Sequence, residues 1–162
     1  MKDNELFTFA RIVHIIAVIL WIGGVAMITT VLIPAIKKFV SKEDRIRTFE
    51  QIEGRFAVQA KITTLLTGIS GLYMLYVLDG WERYLDYRFW WIHAMTFVWI
   101  IFSFILYVLE PLVLHKAFRK YADKNPDKTF RIMHLLHWIL LFISVITTAG
   151  AVAGSHGWFW LQ

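Results

Sequence analysis

The stretch from Arg11 to Gly24, RIVHIIAVILWIGG, decides the fold. After His14 no charged residue occurs until Lys37. A helix needs roughly 20 mostly apolar residues to cross a bilayer, and this segment exceeds that. Three more segments have the same character, so the expected spans are 7–36, 56–78, 89–114 and 130–153. Only helices and closed barrels satisfy their backbone in lipid, and segments of this length are helices. The sequence therefore predicts an all-α fold, a transmembrane four-helix bundle filling one integral membrane domain over 1–162.

Composition agrees. Hydrophobic residues make up 58% of the 162-residue chain, well above the roughly 45–50% of an ordinary soluble domain. The first span reads as retained rather than as a cleavable signal peptide. It is long, its front mixes Asp3 and Glu5 with Lys2, and no small-residue cleavage site follows. The net charge of +5 reads as a topology signal and not as a nucleic-acid surface. Of the 17 Lys and Arg residues, only Lys2, Arg11, Arg83 and Arg88 lie at the end carrying the amino terminus; the other 13 flank the opposite ends of the spans. The excess of basic residues marks the cytoplasmic side. The expectation is a multi-pass protein of a bacterial cytoplasmic membrane with both termini outside.

The first connection has its own pattern. Ile46, Phe49, Ile52 and Phe56 recur at helical spacing among charges, which predicts a helical extension on the cytoplasmic interface between spans one and two. At the outer ends, Trp81, Trp90, Trp91, Trp158 and Trp160 read as interfacial anchors. Small residues form rows on span two (Thr64, Gly68, Gly71) and span four (Thr147, Gly150, Ala151, Gly154). Such rows allow close helix packing or leave room for a flat macrocycle.

The chemistry lies in six histidines in a chain without cysteine. Absence of cysteine removes disulfides, thiolate metal sites, iron–sulfur clusters and covalent haem attachment. His14 and His93 enter spans one and three from outside, each roughly 12–14 Å above the bilayer centre. His156 ends span four higher on the same side. His115, His134 and His137 lie toward the basic side, and the i, i+3 pair His134–His137 shares a helix face. Ionisable residues within spans usually mark function. Two imidazoles at matched depth suit the axial positions of haem iron, with Arg11 and Arg88 placed for propionates and Trp21, two turns below His14, placed to pack on the ring. His156 is the alternative second ligand. His115, with His134 or His137, forms a candidate inner site, so one or two haem b groups are expected. Glu110 in the inner half of span three is expected to pair with Lys61.

The residues VHIIAVILWIGG (Val13 to Gly24), GISGLYMLY (Gly68 to Tyr76) and WWIHAM (Trp90 to Met95) resemble the first three helices of the HemJ/CopD-like superfamily of small bacterial membrane proteins. The resemblance covers roughly the first 100 residues. It implies a four-helix membrane fold. The HemJ branch implies b-type haem and oxidation of protoporphyrinogen IX; the CopD branch implies copper handling. In that pattern His14 corresponds to the first-helix histidine and His93 to the one opening the third helix. The pattern has a lysine two residues after the latter, where this chain has Met95, and that difference favours a b-type cytochrome over the oxidase. Expected partners are membrane lipid, a quinone or periplasmic redox protein, and a second copy of the chain as a homodimer.

Overall fold

The computed structural model describes residues 2–114 and 125–158. Its helices are α1 (Lys2–Met27), α2 (Ile33–Phe39), α3 (Arg45–Val77), α4 (Trp90–Phe104) and α5 (Pro126–Ser155). A π-helical turn, Ile28–Leu32, joins α1 to α2, and a π-helical segment, Ile105–Leu114, continues α4. Four helices are long and apolar enough to cross a membrane: Asn4–Phe39, Arg45–Val77, Tyr87–Leu112 and Pro126–Ser155. The protein is thus all-helical and built as a multi-pass membrane protein is. The first, second and fourth helices run past their apolar stretches into the basic end, so hydropathy alone makes those helices too short.

The spans follow one another around the bundle. α1 packs along α3 and α5, and α4 packs along α3 and α5. α1 and α4 therefore face each other across the middle, where the Trp21 and Phe102 rings meet edge to face with centroids 4.8 Å apart. Large apolar side chains point outward on every span, among them Ile19, Ile62, Phe97 and Phe142. Polar side chains are buried inside instead: Thr29, Thr63, Thr64, Thr67, Ser70, Ser144 and Thr147. An exterior this apolar is a lipid surface, and several of the hydroxyls inside satisfy themselves on carbonyls of their own helices, as Thr67 does on Thr63 and Ser144 on Leu140.

Aromatic rings occupy the glycine rows. A Cβ on Gly68 would lie 2.6 Å from the Trp99 indole. One on Gly24 would strike Phe56, one on Gly150 would strike Trp90, and one on Gly154 would strike Trp91. The rows thus serve as seats for rings from the facing helices. Trp91 is buried accordingly, so it and Trp90 pack inside the bundle rather than anchor it at the interface, while Trp81 and Trp158 are exposed. Trp160 lies outside the described residues.

The connection between spans one and two is helical as expected, but it runs unbroken into span two. Ile46 and Phe49 are buried in a cluster with Ile28, Ile33, Ile36, Phe130 and Met133, whereas Ile52 is exposed. Arg45 fixes this end. Its guanidinium donates to the carbonyls of Lys37 and Val40 at the close of α2 and pairs with Asp127 at the start of α5, 2.9 Å away. The last carbonyls of a helix lack partners of their own, and here an arginine supplies them.

Candidate functional site

His14 sits half-buried on α1 and turns toward α3. Its Nδ1 is 3.0 Å from the Thr67 carbonyl oxygen and 3.0 Å from Ser70 Oγ. A carbonyl only accepts, so Nδ1 carries the proton. In the neutral ring the lone pair then rests on Nε2. The Ser70 hydroxyl donates in turn to the Leu66 carbonyl at 2.6 Å. Gly71 lies against the ring: a Cβ there would stand 3.2 Å from His14 Cε1. A ring held through Nδ1–H to a backbone carbonyl is the arrangement that fixes a histidine as an Nε2 ligand.

His93 is placed differently. It is exposed at the start of α4 and packs edge to face on Tyr84, centroids 5.1 Å apart. Tyr84 belongs to the short 3-10 helix Gly80–Leu85 and is fixed by a 2.7 Å hydrogen bond with Thr96. His14 and His93 are thus on helices that oppose each other across the bundle, one turned to α3 and the other to the 3-10 helix Gly80–Leu85. His156 is exposed at the end of α5, with Nδ1 2.8 Å from the Val152 carbonyl of its own helix.

The flanking residues sort out as follows. Arg11 is exposed one turn before His14. Arg88, expected to reach a haem edge, is engaged by Asp86 through a forked pair with contacts of 2.6 and 2.9 Å. The Arg88 hydrogen bonds hold the Asp86 carboxyl below the usual carboxylate range. Trp21 is buried among Val25, Val98, Phe102 and Leu141, so in this structure its neighbour is core.

At the basic end His134 and His137 face different ways. His134 Nε2 lies 3.0 Å from the Thr29 carbonyl oxygen. That carbonyl sits in the π turn, where the Ile33 amide already bonds Ile28 and the next residue, Pro34, has no N–H. His134 therefore supplies the donor that Pro34 lacks. His137 donates Nδ1–H to the Met133 carbonyl at 2.9 Å and packs edge to face on Phe49, leaving Nε2 with its lone pair. His115 lies outside the described residues. Glu110 pairs with Lys61 at 3.3 Å, as expected.

Sequence reasoning missed the partners Thr67, Ser70 and Gly71 of His14, Tyr84 of His93 and Thr29 of His134. Only the last had a local signal, a proline five residues after a carbonyl inside a span. Among the described residues no three His, Cys, Asp or Glu side chains gather where they could hold a metal ion. No protein-family model, curated protein or solved structure matches the chain.

Proposed function

We propose that the chain is a haem b-binding integral membrane protein, a b-type cytochrome that carries electrons within or across the cytoplasmic membrane, in which His14 would hold the haem iron. The observation that carries this reading is the Nδ1 bond of His14 to the Thr67 carbonyl, which leaves Nε2 as a fixed donor. Donor number supports it as well. A bare copper or zinc ion wants three or four protein ligands, whereas haem brings four nitrogens of its own and asks the chain for one or two imidazoles.

The residues at the His14 end would hold haem as follows. His14 binds and Thr67 fixes its tautomer. Gly71 keeps the space beside the ring clear, and Arg11 offers a cation for a propionate. His93 is the proposed second ligand and His156 its alternative. At the basic end, His115 with His137 through its Nε2, or with His134, would hold a second group. Haem b, when bound, supplies a one-electron couple between ferric and ferrous iron. A quinone or a periplasmic redox protein is the proposed exchange partner.

Visible spectra of the detergent-purified protein, oxidised and reduced, with haem counted as the pyridine haemochrome, test this. One or two b haems per chain are expected, and His14→Ala should remove one. A protein free of any Soret band, isolated from a host supplied with haem, overturns the reading.

A further inference from the structure

The outward face of α3 changes character along its length. Arg47, Gln51 and Arg55 are exposed toward the basic end, and Val58, Ile62 and Ile69 are exposed further on. At 3.6 residues per turn, the row from Arg47 through Gln51 to Arg55 swings by only about 80°, so it stays on one side of the helix. Val58, Ile62 and Ile69 fall within about 20° of Gln51 on the same side. One face therefore carries cations and an amide in its lower half and hydrocarbon in its upper half.

The polar half stands level with apolar neighbours. Phe56, the residue after Arg55, packs against Gly24, and Gly24 is 13 residues from both Arg11 and Lys37 on the first span. That is about 20 Å along the helix in either direction. Met27 and Val31 of the first span are exposed and apolar, and Leu135 and Trp138 of α5, brought to the same level by the His134–Thr29 bond, are exposed as well. Ionisable side chains among such neighbours are costly and mark function. Other basic residues nearby are matched, Lys42 and Arg45 by Asp127 and Lys61 by Glu110. Arg47 and Arg55 make no hydrogen bond or ion pair among the described residues. The carboxylate at the foot of this face, Asp44, accepts a hydrogen bond from Ser41 at 2.9 Å. Gly54, beside Arg55, has open space before it.

We propose that this face binds an anionic phospholipid from the leaflet at the basic end. The phosphate lies at Gln51, between the two guanidiniums, whose planar forks match phosphate oxygens in pairs, and the Gln51 amide donates a further bond. The acyl chains continue along Val58, Ile62 and Ile69. Cation first and hydrocarbon next is the order of charge and chain that such a lipid complements. A choline headgroup brings a cation of its own to the two arginines and fits less well. A second copy of the chain would set Arg55 against a face of the same sign. Free phosphate would leave the apolar half uncovered. The site stands whether or not His14 holds haem.

The test is native mass spectrometry of the detergent-purified full-length protein, titrated separately with phosphatidylglycerol, phosphatidylcholine and inorganic phosphate. Phosphatidylglycerol should bind at least tenfold more tightly than either of the others. Arg55→Gln and Arg47→Gln should each weaken it about tenfold. Lys128→Gln, which removes an exposed charge from the same end on another helix, should leave it unchanged. Equal binding of the two lipids, equal binding of free phosphate, an equal loss in Lys128→Gln, or a dimer that excludes the lipid overturns the proposal.

Discussion

At the scale of single residues, this bundle is specified by what its glycines lack. Gly68 is the clearest case, since a methyl group there would stand 2.6 Å from an indole that is itself tied to the Thr64 carbonyl. The ring cannot retreat without breaking that bond. Gly68→Ala is expected to destabilise the protein by about 1–3 kcal/mol, the usual range for overpacking. Gly23→Ala, with open space around the new carbon, should be near neutral. Thermal unfolding in detergent compares the two directly; equal midpoints would refute the seating of Trp99 on Gly68. The row of small residues was legible in the sequence, but which ring fills each seat was not. Trp90 and Trp91 read as interfacial anchors because nothing in their own neighbourhood announces Gly150 and Gly154 on another helix.

At the scale of elements, the break in span one explains a histidine. The π turn and Pro34 together leave the Thr29 carbonyl without a backbone donor, and His134 fills the place from α5. His134→Ala should cost about 1–3 kcal/mol, the penalty of an orphaned buried acceptor. In a Pro34→Ala background the backbone regains an N–H at that position, within reach of Thr29, so the same change should cost clearly less. A double-mutant cycle in chemical denaturation measures the difference, and additive effects would show that the two residues act independently. Pattern reading placed this histidine among the candidate inner ligands from its depth and its i, i+3 spacing to His137, and could not see its bond to Thr29. Depth is encoded locally, by counting along a helix; the partner depends on which helix face meets which. His14 makes the same point. Its depth suggested a ligand, and its contacts with Thr67 and Ser70 give it the tautomer that a ligand needs.

At the scale of the whole molecule, four long apolar helices were legible because hydropathy is additive along the chain and needs no tertiary knowledge. Their ends were less so. Arg45 and Ile46 lie beyond the apolar stretch yet belong to the helix, since a guanidinium clasp and a buried cluster hold them there. The proposed sidedness rests on the distribution of 17 basic residues. The chain has no cysteine, so a single introduced thiol reports its side without background. Glu43→Cys should react with an impermeant reagent only from the cytoplasmic side, and Asp79→Cys only from outside; the reverse labelling would invert the proposed topology.

The bond between His134 and Thr29 joins residues 105 positions apart, and this bears on the order in which the protein is made. When the first helix emerges from the ribosome and enters the membrane, the donor its backbone requires has not been synthesised. That helix waits with one carbonyl unmatched while the second and third helices are threaded in. The arrival of the fourth is then more than the addition of a last wall: it locks a turn completed two-thirds of a chain earlier. A gap left in the backbone of one span is closed by a side chain made three spans later.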